Sequence, residues 1–112
     1  MISSGEDRLQ ILWENYHDAD SNEGNDLSKA VTPVLVRAVQ SNWSAARDAY
    51  YTKVASELAA TTEEAEAAYQ NAQAAVSAVK TARRNSAQIA DLIKKMQNAT
   101  GAANALVTAA SS

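Results

Sequence analysis

The chain has 112 residues and a net charge of −3, enough for one small domain and too short for a separate catalytic domain beside a binding domain. Hydrophobic residues make up 46%, but 25 are alanine against 19 of Leu, Ile and Val together and phenylalanine is absent, which excludes a large core of bulky side chains. Cysteine is also absent, removing disulfides, thiolate metal sites and cysteine nucleophiles together. Alanine is the strongest helix former and adds only a thin apolar surface, so the expectation is an all-α chain of long helices packed along narrow seams.

In chain order, Ser4 precedes Leu9, Leu12, Trp13 and Tyr16, which share one helical face and predict a short first helix over about residues 4–17. The acidic, polar stretch after His17 then reads as a loop over 18–26. Apolar residues return three or four apart from Val31 through Leu35, Val39, Trp43, Ala46, Tyr50, Val54 and Leu58, marking a long amphipathic helix over about 27–60. Thr32 and Pro33 suit the cap and first helical residue, with a start at Leu27 and a bend at Pro33 as the alternative.

Thr61-Thr62-Glu63-Glu64 fits a capping box, in which Thr61 and Glu64 would exchange backbone bonds, and opens a second long helix over about 62–99. Its stripe runs through Ala65, Tyr69, Ala72, Val76, Val79, Ala82, Ile89, Ile93 and Met96, and Gly101 reads as its left-handed stop. Residues 102–112 are expected to form a frayed tail, with Leu106 and Val107 as possible anchors. The turn between the long helices falls at about 40–44 or at 59–61. The expected architecture is one domain over 1–112, a long antiparallel helical hairpin plus a short N-terminal helix, forming a bundle.

Charge is placed unevenly: residues 1–26 carry seven acids against Arg8, while residues 71–112 carry Lys80, Arg83, Arg84, Lys94 and Lys95 against Asp91. Segments of opposite sign would attract each other within a bundle or between chains in a head-to-tail pair. No stretch approaches the roughly 18 apolar residues of a membrane span. Residues 1–8 lack the basic start and apolar run of a signal peptide, so neither feature is expected.

Asp18-x-Asp20-x-Asn22 has the alternating oxygen side chains of a calcium loop, but Glu23 stands where that loop needs glycine and Lys29 where it needs a bidentate acid. The stretch reads first as a solvated acidic loop that also caps the next helix, with no metal, and Asp18, Asp20 and Asn22 are the candidate calcium residues of the alternative reading. His17 is the only histidine, the three glycines are isolated, and the carboxylate pairs Glu6/Asp7 and Glu63/Glu64 lie in first helical turns. No enzyme activity and no cofactor are expected. Lys80, Arg83, Arg84, Lys94 and Lys95 form a small basic face without stacking aromatics, so it reads as a solvated face or an intramolecular charge partner before a nucleic-acid surface.

The stretch Val31-Thr32-Pro33-Val34-Leu35-Val36-Arg37-Ala38-Val39-Gln40-Ser41-Asn42-Trp43-Ser44-Ala45, with Leu58-Ala59-Ala60 and Ala67-Ala68-Tyr69 after it, resembles the WXG family of small type VII secretion substrates. The likeness covers about residues 27–76; Ala45 stands where the family has glycine, and Gln73 where its export signal has an acid. The resemblance implies an antiparallel helical hairpin that pairs into a four-helix bundle and is exported without a cleaved leader. Without that likeness the expected location is cytoplasmic. The expected function is a non-enzymatic protein-interaction module, a homodimer or bound to a helical partner through the stripe Trp43, Tyr50, Val54, Leu58, Tyr69, Val76 and Val79. The alternatives are a small adaptor, immunity or chaperone-like protein, and a nucleic-acid or calcium-binding regulator.

Overall fold

Ser4 begins the first helix as expected: its hydroxyl accepts from the Asp7 N–H (3.0 Å) while the Asp7 carboxylate accepts from the Ser4 N–H (2.9 Å), a reciprocal capping box. The computed structural model describes residues 2–111. Its elements are α1 (Gly5–Lys29), α2 (Pro33–Tyr51), a 3-10 turn (Ala55–Leu58), α3 (Glu63–Arg84) and α4 (Ile89–Ala110). The all-α class is as the composition predicts, but the helix boundaries differ from the expected ones in four places.

First, α1 does not stop at residue 17 but runs through the whole acidic stretch to Lys29. Asp, Asn, Ser and Gly favour turns because their side chains, or the lack of one, compete with helical backbone bonds. Here tertiary partners decide otherwise: Ala19 and Asp26 are buried, and Asp18 and Asp20 are engaged by other helices. Second, the expected helix over 27–60 is divided. Thr32 caps the Leu35 N–H with Pro33 at the first helical position, as one of the two sequence readings had it, and α2 ends at Tyr51.

The chain then reverses over residues 52–62, which contains the second of the two expected turn positions, while Trp43 lies in mid-helix. Gly5 holds this reversal close. A Cβ at Gly5 would lie 2.0 Å from the Ala55 carbonyl oxygen, so only glycine allows the approach. Arg8, one turn along the same face of α1, fixes it further, donating from Nη1 to the Leu58 and Ala60 carbonyls at 2.7 Å each. Those carbonyls are free to accept because the helix has already ended.

Third, the expected helix over 62–99 is two helices. Thr62 rather than Thr61 is the cap, accepting from the Ala65 N–H at 3.1 Å. The first of the two, α3, closes in a Schellman motif: Ser86 is left-handed (φ 54°), the Ala87 N–H reaches the Ala82 carbonyl at 3.0 Å and the Ser86 N–H reaches Arg83 at 3.1 Å. Fourth, Gly101 does not stop a helix, since α4 passes through it to Ala110. The expected frayed tail is core: Ala103, Leu106 and Ala110 are fully buried, and the Ala110 carbonyl accepts from the Ala60 N–H.

α1 pairs with α2, and α3 with α4, as two antiparallel hairpins; α4 also touches α1 and α2, whereas α2 and α3 do not meet. Three apolar clusters fill the seams. At the α1 N-terminal end, Ile11, Leu12 and Leu58 meet Ala65, Ala72, Ala103 and Leu106. Val76, Val79, Leu92 and Met96 join α3 to α4, and Val39 with Ile93 joins α2 to α4. Alanines at the crossings allow the close approach that so few large side chains require. No described helix is long and apolar enough to cross a membrane.

Candidate protein-interaction face

The α1/α2 hairpin carries five of the six aromatic residues of the chain on one outward side. Trp13 stacks on His17, one turn along α1, with ring centroids 4.5 Å apart. Tyr16 lies parallel to Tyr50 at 6.0 Å, meets Tyr51 edge-on at 5.5 Å and tilts against Trp43 at 6.4 Å. The Arg47 guanidinium sits 5.6 Å over the Trp43 ring, one turn along α2, a cation–π contact of about 0.5–1 kcal/mol at an exposed site. Trp43 is anchored further by donating from Nε1 to Asp20 at 2.9 Å.

None of these aromatic rings is fully buried, and Tyr51 is 65% exposed. Burial and the nearby Asp20 charge raise the pKa of the Tyr16 phenol above the ordinary tyrosine value, so it stays a neutral hydrogen-bonding group. Beside the cluster, a hollow of about 290 Å³ opens between Glu6, Leu9, Gln10, Trp13 and Tyr50.

Polar ties hold this hairpin on the α3/α4 pair. Arg83 forks between two α1 acids, with Nε and Nη2 each 3.0 Å from Asp18 and Nη1 and Nη2 at 2.8 and 2.9 Å from Asp26. Burial acts to lower the Arg83 pKa, but the bonds to Asp26 and Asp18 outweigh it and the net shift is upward. Lys80 donates to Glu14 at 2.8 Å. Asn15 donates to the Thr100 hydroxyl (3.1 Å), which donates to Asn42 (2.6 Å), a buried chain linking α1, α4 and α2. Arg8 reaches Ser3 as well as the two carbonyls, and its Nη2 lies 3.7 Å from Glu66.

The seven residues expected to form one partner stripe are distributed over different surroundings. Leu58, Val76 and Val79 belong to the chain's own core, because the reversal at 52–62 and the break at 85–88 fold the stripe onto itself. Tyr69 is half-buried against the first cluster, and Val54 caps the 3-10 turn in solvent. Only Trp43 and Tyr50 share the aromatic face.

Sequence reasoning placed Trp13 and Tyr16 on an apolar side but did not assign them to the stripe, and it passed over Arg47 and Tyr51. The one-turn spacing of Arg47 from Trp43 was the available signal. The calcium candidates do not form a loop. Asp18 and Asn22 are one turn apart on a helix, where the Asn22 amide donates to the Asp18 carbonyl, and Asp20 points instead toward Trp43. Among the described residues no group of three or more His, Cys, Asp and Glu side chains is placed to hold a metal ion. Of the basic face, Arg83 and Lys80 are spent on α1 acids, which leaves Arg84, Lys94 and Lys95 in solvent. No protein-family model matches the chain, and no curated protein or solved structure is detectably similar to it.

Proposed function

We propose that this chain is a non-enzymatic helical interaction module that binds a helical segment of a protein partner through the aromatic face of α1 and α2. The observation that carries the reading is the concentration of Trp13, Tyr16, Trp43, Tyr50 and Tyr51, with Arg47, on one accessible side of an otherwise alanine-rich bundle. Trp, Tyr and Arg are the residue types that dominate binding energy at protein interfaces, because each combines a large apolar body with a polar tip. The hollow beside Trp13 and Tyr50 gives a partner side chain a place to enter. The likeness of residues 27–76 to WXG proteins supports an export-linked setting for this module.

A photo-crosslinking residue at Tyr51, compared with one at Ser77 on the far side of α3, tests the face in the source cell. The expected result is one discrete adduct from position 51, absent from 77 and abolished by Trp43→Ala. Equal adducts at both positions, or none at 51, would overturn the reading. Export is tested separately: recovery of the full-length chain from the culture medium supports it, and retention of all of it inside cells removes it.

A further inference from the structure

The two ends of the bundle differ in charge, and each bears exposed apolar residues. At one end lie the 30–32 and 85–88 connections, with Val31 84% and Val34 65% exposed. Around them Lys29, Arg37, Arg84, Lys94 and Lys95 are exposed, against Asp91 and the half-buried Glu23. Asp18 and Asp26 share the single guanidinium of Arg83, so that cluster adds one net negative charge here and the exposed bases still outnumber the uncompensated acids.

The opposite end gathers the first turns of α1 and α3 and the 52–62 reversal, where Glu6, Asp7, Glu57, Glu63 and Glu64 are exposed. Its one lysine, Lys53, is paired with Glu57 at 3.9 Å. Ile2 (58% exposed) and Val54 (56% exposed) stand in this acidic surround. Among the described residues five large apolar side chains are exposed: four are these end residues, and the fifth, Tyr51, belongs to the aromatic face.

Helix dipoles do not cause this polarity. The helices of each hairpin run antiparallel, so their dipoles oppose and side chains set the sign of each end. Nor does one end neutralise the other within a molecule: the long axis is 43 Å, several times the Debye length of about 8 Å at physiological salt. The complement of each end is the other end of a second copy.

We infer that copies of this chain associate head to tail, the acidic end with Ile2 and Val54 of one seating on the basic end with Val31 and Val34 of the next. Such a contact is heterologous and does not close on itself, so it builds open linear chains in place of a symmetric dimer. A transverse section of 25 × 18 Å offers roughly 350 Å² per partner, well below the ~800 Å² a side of stable complexes. The association is therefore weak, concentration-dependent and sensitive to salt. Its apolar contacts, Ile2, Val54, Val31 and Val34, are distinct from the five aromatic residues of the proposed binding face, although Glu6 borders both that face and the acidic end.

Sedimentation velocity over a concentration series, at about 50 and 500 mM salt, tests this with three forms of the full chain. They are wild type, a basic-end variant (Lys29→Ser, Val31→Ser, Arg84→Ser) and an acidic-end variant (Val54→Ser, Glu63→Gln, Glu64→Gln), each checked for native helicity by circular dichroism. Wild type is expected to grow beyond 11.9 kDa with concentration at low salt and to fall back at high salt. Each variant alone stays monomeric, yet their equimolar mixture forms a dimer that grows no further, since each contributes its one intact end.

A wild-type mass fixed at 11.9 kDa throughout, or a mixture that does not dimerise, would overturn the inference. Self-association that survives in both variants but disappears in Trp43→Ala would also overturn it, assigning contact between copies to the aromatic face. Binding of the basic end to anionic phosphatidylserine vesicles without self-association would reassign that end to lipid.

Discussion

Arg83→Met removes a guanidinium while keeping a long apolar stem, and it isolates the most heavily bonded charge in the bundle. In the native structure Arg83 bonds both oxygens of Asp26, whose side chain is 0% exposed, and grips Asp18, which is 14% exposed. Without the arginine, Asp26 must stay charged without a partner or take up a proton. Breaking a buried pair from one side costs about 3–5 kcal/mol, and because water can reach Asp18 the loss belongs near ~3 kcal/mol. For a chain of this length, at about 4 °C per kcal/mol, the melting temperature falls by roughly 12 °C.

Guanidinium chloride unfolding followed by far-ultraviolet circular dichroism measures this, with Arg84→Met as the control. Arg84 is adjacent in sequence but exposed, so its loss should change stability by no more than about 0.5 kcal/mol. Replacing Asp26 by Leu as well as Arg83 by Met should recover part of the loss, since a desolvated pair exchanged for apolar groups is close to neutral. If Arg83→Met unfolds within 1 kcal/mol of wild type, or no more readily than Arg84→Met, the ion cluster does not hold α1 against α3 and the reasoning fails.

Thr100→Val strands Asn15 and Asn42 in the core and should cost about 1–3 kcal/mol by thermal unfolding, whereas the triple change Asn15→Leu, Thr100→Val, Asn42→Leu should cost less than that single change; the opposite order would refute the network. Gly24→Ala and Gly101→Ala meet nothing within 4 Å in mid-helix and should each stabilise by about 0.5–1 kcal/mol, while Gly5→Ala should lower the melting temperature because its Cβ meets the Ala55 carbonyl. Hydrogen bonds from the Ser3 hydroxyl and N–H, with a smaller contribution from Arg8, lower the pKa of Glu66 below its ordinary value of 4.5. Its stabilisation is therefore complete above that value and lost as pH falls through the lowered native value, so unfolding curves of wild type and Glu66→Gln should converge in acid; a gap that stays constant with pH refutes it.

What was legible in the sequence was whatever depends on neighbours in the chain. Ser4, Thr32 and Pro33 act where their local chemistry puts them, and alanine content with three-and-four spacing is enough for an all-α fold. What escaped depends on partners distant in sequence. Residues 18–26 are turn-formers in isolation, and they stay helical because α1 presents Asp18 and Asp26 to Arg83 of α3. The break at 85–88 is closed by a left-handed Ser86, where glycine would have announced it, and the Gly101 that does announce a stop lies inside α4. Those two positions account for the second hairpin having been read as one long helix over 62–99, and for the supposed tail. The candidate face was half legible: Trp43 and Tyr50 were read as a partner stripe, but only the reversal at 52–62 shows that Leu58 turns inward, away from them.

The polar ties also answer a problem posed by the alanine-rich composition. Seams lined with Ala46, Ala65, Ala72, Ala99 and Ala103 present similar small surfaces between the few large side chains that fill the clusters. Apolar packing therefore fixes register through those few large residues, and the polar ties add to it. Each polar tie exists in one register only. A turn's shift of about 5.4 Å carries Arg83 away from its two acids, parts Thr100 from Asn15 and Asn42, and takes Arg8 off the carbonyls of residues 58 and 60. Arg8, Asp26, Asn15, Asn42 and Thr100, which are buried, would then lose their partners, at a cost of several kcal/mol for the charges. The three ties lie at different heights along the bundle: Arg8 at the acidic end, Asn15–Thr100–Asn42 in the middle, and Arg83 toward the basic end. Together they fix rotation as well as translation between the two hairpins, and so determine which aromatic rings remain outside.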